Sequence, residues 1–208
     1  MEISLSIIPH KLTWVSCKYP PIGRVINSDL VKFTQDYPYT PLYSEIGPLD
    51  LGTTIHFCKR LESMLKNGPV THYCSIKPIE KSNGAYLMGA FLILVMKKTP
   101  TKAWEIFQNL PLLFLHYREV TPGVNSHKCS ILHCLQVLSK AVKFGWIKYN
   151  EFDVEDYRSI YSIEKGDITW LIPNKIVIFS TPCADPWDFK GFKNYTPEEC
   201  ATIFAKIT

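Results

Sequence analysis

Ala85 to Met96 is apolar without interruption, and the rest of the chain is read outward from that run. A stretch apolar on every side predicts a helix buried all round, a core helix. At twelve residues it is shorter than the roughly 18 that a bilayer span needs. Before it, Val70 to Ile76 is β-rich and short. Lys77 to Gly84 holds the breakers Pro78, Asn83 and Gly84 and reads as a loop. Helical spacing of Leu51, Ile55, Cys58, Leu61 and Leu65 predicts a helix that opens at Gly47-Pro48-Leu49-Asp50-Leu51. Asn67-Gly68-Pro69 ends it. Alternation through Ile3, Leu5, Ile7, Leu12 and Trp14 predicts a hairpin or two short strands, and Asn27 to Asp36 reads as a strand and its exit.

Downstream, Thr99-Pro100 supplies an N-cap and a first helical residue for Ala103, Trp104, Ile106, Phe107 and Leu110. Pro111 to Asn125 is loop. Cys129 to Phe144 reads as a helix with Ile131, Leu132, Leu135, Leu138 and Val142 inward and Gly145 at its end. Glu151 to Lys165 is a charged, aromatic helical segment. The β pattern returns in Asp167 to Ser180, Thr181 to Asn194 is loop, and Thr196-Pro197-Glu198-Glu199 opens a last helix. One internal echo stands out. Ile8-Pro9-His10-Lys11 through Ser16 matches Ile172-Pro173-Asn174-Lys175 through Ser180 in isoleucine, proline, lysine and serine at equal offsets.

Composition narrows the classes. At 208 residues, with 46% hydrophobic and 13% aromatic residues, the chain suits one domain, or one and a fraction, with a real core. A net charge of +4 from scattered basic residues gives a nucleic-acid role no support, and no membrane role is expected. Seven irregularly spaced cysteines fit a reducing compartment, cytoplasm or nucleus, better than a disulfide framework. The N-terminus lacks the basic stretch of a signal peptide.

Strand, His-x-Cys, loop and buried helix form the outline of a cysteine phosphatase loop. Its chemistry needs a thiolate nucleophile, backbone amides facing the phosphate, and an arginine six residues on to grip two phosphate oxygens. Six residues after Cys74 stands Glu80, an anion, and Pro78 removes one amide. Lys77 and Lys81 flank the loop without an arginine's planar fork. Their plain reading is solvated charge. The other six cysteines also lack an arginine at that spacing. The literal His133-Cys134 pair lies in a helical pattern and reads as a core pair. His127, Cys129, His133 and Cys134 form a candidate metal group, but Cys-x2-Cys zinc spacing is absent and no metal is expected.

These residues together resemble the N-terminal part of the cell-division-cycle fourteen family of dual-specificity protein phosphatases. The motifs are Gly47-Pro48-Leu49-x-Leu51, His72-Tyr73, Asn83-x-Ala85-x-Leu87-x-Gly89-Ala90 and Lys97-Lys98-Thr99-Pro100. Then come Ser130-Ile131-Leu132-x-Cys134-Leu135-Gln136, Phe152-Asp153-Val154 with Tyr157, and Gly166-Asp167-x-x-Trp170-x-x-Pro173-x-Lys175. The resemblance implies an α/β fold, a phosphatase-like central sheet flanked by helices without a working catalytic loop. It implies a non-catalytic domain over residues 1–150, a linker helix over 151–165 and the start of a truncated catalytic domain over 166–208. Cys74, Lys77, Glu80 and Lys81 would be the degenerate phosphate loop.

In the family, which acts in mitotic exit, the first domain and the linker help to shape a groove for phosphoserine-proline substrates with a basic residue nearby. The corresponding linker residues here are Glu155, Asp156, Arg158, Tyr161 and Glu164. Arg158 and Tyr161 stand at two of the family's acidic positions, a departure from the basic-residue preference; the plain reading of the acidic ones is a solvated helix face. Two readings follow. Either the chain is the non-catalytic front of a phosphatase, contributing to the substrate groove or to regulation, or it is a free-standing pseudophosphatase binding module. Both expect phosphoprotein substrates or regulatory proteins as partners, no cofactor, and no catalysis by this chain.

Overall fold

The computed structural model describes residues 2–18, 29–32, 36–39, 41, 45–110, 113–118, 128–161, 168–172, 175–184, 188–189, 192–193 and 195–207. Two compact units are present, Met1–Phe152 and Asp153–Thr208.

The first unit is α/β. Strands β1 (Ile3–Ile8) and β2 (Leu12–Cys17) form an antiparallel hairpin. Strand β3 (Asp29–Lys32) leads through helix α1 (Leu51–Asn67) to β4 (Val70–Ser75), which runs parallel to both β3 and β2. Parallel neighbours cannot be joined by a tight turn, so the helix is the crossover. The sheet order is β1-β2-β4-β3. Alternation in β4 puts Val70, His72 and Cys74 on one buried face. Trp14 of β2 stands opposite His72 on that face.

Helix α2 (Pro78–Leu94) packs on this face and is buried from Lys81 to Leu94. Its start lies within Lys77 to Gly84, which the breakers Pro78, Asn83 and Gly84 predict as loop. Pro78 occupies the first helical position, where the missing N–H costs nothing. Ser82 and Asn83 are polar and fully buried because they hold a distant segment: the Leu115 N–H donates to Ser82 Oγ at 2.8 Å and the Tyr117 hydroxyl to Asn83 Oδ1 at 3.2 Å. Gly84 is required by proximity. A Cβ there would lie 3.1 Å from Cys74 Cβ and 3.3 Å from its Sγ. Gly89 likewise lets the helix meet Leu135, whose Cδ1 would lie 2.7 Å from an added Cβ.

Helix α3 (Pro100–Gln108) starts on the expected Thr99 cap, and its Phe107 ring meets the Trp14 edge at 5.3 Å. Helix α4 (Ile131–Lys143) begins two residues later than its pattern suggests. Cys129 lies outside it, bridged to Tyr117 through a 2.7 Å Tyr117 N–H to Cys129 carbonyl bond. Ser130 caps the helix, and the His133 ring returns the bond by accepting from the Ser130 N–H. His133 is therefore an exposed capping residue and not half of a core pair. At the other end Gly145, with φ +71°, makes the αL stop: Gly145 N–H reaches Val142 O and Trp146 N–H reaches Ala141 O. The chain then runs back to α1, where Tyr149 donates to Glu62 at 3.0 Å and Lys59 Nζ to the Phe152 carbonyl at 2.7 Å.

Asp50 caps α1, accepting from the Thr53 N–H at 2.9 Å and the Thr53 hydroxyl at 2.6 Å. Asp50→Ala is expected to cost about 1 kcal/mol of stability, read from urea unfolding at constant slope.

The second unit contains helix α5 (Val154–Tyr161), strands β5 (Thr169–Ile172) and β6 (Ile176–Ile178), a minimal hairpin of β7 (Asp188–Phe189) and β8 (Phe192–Lys193), and helix α6 (Pro197–Ile207). Thr196 and Glu199 form the expected reciprocal cap of α6. The β5–β6 hairpin repeats the β1–β2 hairpin pair for pair. Ile8 opposite Leu12 corresponds to Ile172 opposite Ile176, Ser6–Thr13 to Trp170–Val177, and Leu5–Trp14 to Thr169–Ile178. Even the ladder irregularity falls at the same place. The sequence echo is thus an echo of register. No helix among the described residues is long and apolar enough to cross a membrane.

Candidate functional site

The segment from Cys74 to Asn83 is where a phosphatase fold would put its nucleophile and anion cradle. Its chemistry follows from the packing. Cys74 is 2% exposed, and its thiol faces the seam between β4 and Gly84. Burial pushes it up to about 12, the negative charge of a Cys17 thiolate or of Glu80 acts the same way, and Ser16 and Lys81 only partly oppose this. At neutral pH it is a thiol and not a nucleophile. His72, two residues earlier on the same face, is fully buried with Phe57 against its ring at 5.3 Å. Burial lowers it to about 3, so it is neutral and supplies no cation to the thiol.

The anion cradle is equally altered. The Lys77 N–H is taken by Ser75 Oγ at 3.1 Å, and Pro78 has none. Lys81 N–H already closes the first helical bond to Lys77 O. Of the first turn, the Ile79 and Glu80 amides alone lie outside the helix's own ladder. Glu80 stands beside them and pairs with Lys77 at 3.5 Å. Lys77 is solvated, as its side chain is 75% exposed. Lys81 is not: it is buried, with Nζ 5.8 Å over the Phe114 ring. The four residues of the predicted loop are therefore local neighbours, but no pair of cations converges on one anion.

A cavity of about 380 Å³ opens at this helix start. Tyr37, Pro38, Tyr39 and Pro41 form one wall and Lys77, Pro78, Ile79, Glu80 and Asn83 the other. The first wall comes from far along the chain, and no spacing in the sequence announces it. Asn83 Nδ2 is buried and finds no hydrogen-bond acceptor among the described residues. Aromatic rings, prolines, a neutral amide and an opposed charge pair suit an uncharged group better than a phosphate.

In the second unit, Asp153 Oδ1 caps α5 by accepting from the Glu155 and Asp156 N–H groups at 2.8 and 3.0 Å, a role not singled out in the sequence. Glu155, Asp156 and Arg158 are exposed, and Arg158 pairs with Glu155 at 3.3 Å. That pair is internal to the helix and partly cancels its negative face. Tyr161 ends α5, and Glu164 lies outside the described residues. Among the described residues, no group of three or more His, Cys, Asp or Glu side chains is placed to hold a metal ion. Of the candidate metal group, Cys129 is off the helix, His133 is engaged in the cap, and His127 lies outside the described residues.

Comparison with known proteins locates this architecture. Residues 6–141 match the model of the dual specificity protein phosphatase, N-terminal half. The chain is 28% identical to the dual specificity protein phosphatase CDC14AB of Danio rerio over 186 residues, covering 86% of this chain and 30% of that protein. It is 28% identical to human dual specificity protein phosphatase CDC14A over 189 residues, covering 87% of this chain and 32% of the relative. It is 25% identical to the tyrosine-protein phosphatase cdc-14 of Caenorhabditis elegans over 210 residues, covering 92% and 29%. The chain thus spans about a third of the length of these relatives. With its mixed sheet, its core helix and the altered loop between them, the chain belongs to the family of the N-terminal half of dual specificity protein phosphatases.

Proposed function

We propose that this chain is a non-catalytic N-terminal half of a dual-specificity protein phosphatase, serving substrate engagement or regulation in cell-cycle control including mitotic exit. The observation that carries this reading is the Cys74 thiol, buried, protonated and turned toward Gly84, with Glu80 at the spacing where the chemistry needs an arginine. Its partners are phosphoprotein substrates or regulatory proteins, met in a reducing compartment, cytoplasm or nucleus. The neutral cavity beside the altered loop supports contact with an uncharged part of such a partner.

Residues 151–165 are read as the linker helix and 166–208 as the first elements of a catalytic domain. Two observations support this over a free-standing pseudophosphatase. The β5–β6 hairpin repeats the register of β1–β2. Yet Leu12 and Trp14 are fully buried, whereas their counterparts Ile176 and Ile178 are 45% and 53% exposed. In the first unit, β4 extends the sheet beside β2, and helices α2 and α3 cover that face; the counterparts would be covered by the same elements of a second domain.

The test is turnover of p-nitrophenyl phosphate and of a phosphoserine-proline peptide by the purified chain. No hydrolysis above buffer is expected, and Cys74→Ser should change nothing. Turnover that disappears in Cys74→Ser overturns the reading.

A further inference from the structure

Outside the altered loop, the fold brings one pair of nucleophilic side chains together. Cys129 and Cys134 have their sulfurs 3.5 Å apart. That is contact distance for two thiols, and a disulfide needs about 2.05 Å between them. Both residues are partly exposed, whereas Cys17, Cys58, Cys74 and Cys200 are buried. The two come from different local structures. Cys129 is held in extended chain by its bridge to Tyr117, and Cys134 sits in the first turns of α4 with its N–H bonded to the Ser130 carbonyl. The Ser130 cap fixes the angle between them from one side and the Tyr117 bridge from the other.

We propose that Cys129 and Cys134 form a reversible redox modification site, closed to an intrachain disulfide by a low-molecular-weight disulfide of the glutathione class.

The order of steps follows from the surroundings. Cys134 is held inside the first turns of α4, where burial pushes its thiol up, whereas Cys129 stands in extended chain outside the helix, so Cys129 makes the first attack. Cys129, as thiolate, attacks one sulfur of glutathione disulfide, forming a mixed disulfide and expelling one glutathione thiolate. Cys134 then gives up its proton and attacks the Cys129 sulfur, and the second glutathione leaves. The protein loses two protons and two electrons, and the reagent gains them as two glutathione thiols. The product staples the Tyr117-bridged chain to helix α4. Tyr117 in turn holds Asn83 at the cavity, so the modification stiffens the cavity's support.

The experiment uses the whole chain, equilibrated in buffers running from reduced to oxidised glutathione, quenched in acid, alkylated with iodoacetamide and digested with trypsin. Cleavage after Lys128 and Lys140 gives one peptide carrying both cysteines. In oxidising buffer it should be unalkylated and lighter than the dithiol form by two hydrogen atoms. Cys134→Ser should stop at glutathione on Cys129, while Cys129→Ser should leave Cys134 open to iodoacetamide. Closure in the folded chain should need a ratio of oxidised to reduced reagent about tenfold lower than in urea, since folding holds the sulfurs together. The proposal is overturned by a doubly alkylated peptide at every ratio, by glutathione retained on Cys129 of the unsubstituted chain, by a bond from Cys129 to another cysteine, or by equal ratios with and without urea.

Discussion

Trp14→Ala is expected to lower the stability of the chain by about 3–5 kcal/mol, the range for truncating a fully buried aromatic. The indole is 0% exposed and lies where β2, β4, α2 and α3 meet. Its edge rests on the Phe107 ring at 5.3 Å and 85°. Its Nε1 is 3.6 Å from where a Cβ on Gly84 would stand. No flexible surface element can collapse into the space it would leave, because its neighbours are a sheet strand and two packed helices. Trp14→Phe separates volume from polarity. It keeps an aromatic edge for Phe107 and removes an indole N–H that finds no acceptor among the described residues. Its loss should be less than half that of the alanine variant. Urea unfolding followed by circular dichroism measures both. A loss below about 1 kcal/mol for Trp14→Ala would mean that this seam is not packed as described.

The second large effect is on the acid side. Unfolded histidine titrates at about pH 6.5, and burial lowers folded His72 to about 3. Between those values the unfolded chain binds a proton that the native chain refuses. Stability is therefore undiminished above about pH 6.5 and falls by about 1.4 kcal/mol per pH unit as pH drops toward about 3. From pH 6.5 to 4.5 this amounts to about 2–3 kcal/mol, before most carboxylates begin to protonate. His72→Leu keeps the contact with Phe57 and removes the proton site, so its stability should stay nearly level over that window. Parallel decline of the two proteins would show that His72 is not the source.

Much of the fold was legible because local rules and tertiary packing agree. Period-two alternation gives the β1–β2 hairpin, β-rich composition gives β5 and β6, and the Thr99 and Thr196 caps mark the two helices they open. What was illegible depends on partners far along the chain. Pro78, Asn83 and Gly84 carry the composition of a loop, yet all three are helical: Pro78 because a first helical position tolerates its missing N–H, the other two for reasons outside their own segment. Asn83 holds Tyr117, and Gly84 makes room for Cys74 and Trp14. The pattern around Cys129 continues that of α4, but its carbonyl is claimed by Tyr117 before the helix begins. The site divides in the same way. That Cys74 lacks an arginine partner is visible in the sequence; that its thiol is sealed against a helix, with a tyrosine- and proline-walled cavity alongside, is a product of the fold.

The return of residues 145–152 to α1 has a mechanical consequence. Tyr149 is fastened to Glu62 and the Phe152 carbonyl to Lys59, one helical turn apart on α1. A pull on the chain beyond Phe152 is borne in shear by these two bonds on the crossover helix, and α4, which packs directly on the core helix, carries none of it until both have given way. Such a pull therefore loads the crossover helix, while the αL turn at Gly145 and the helix before it lie behind the anchor at Tyr149.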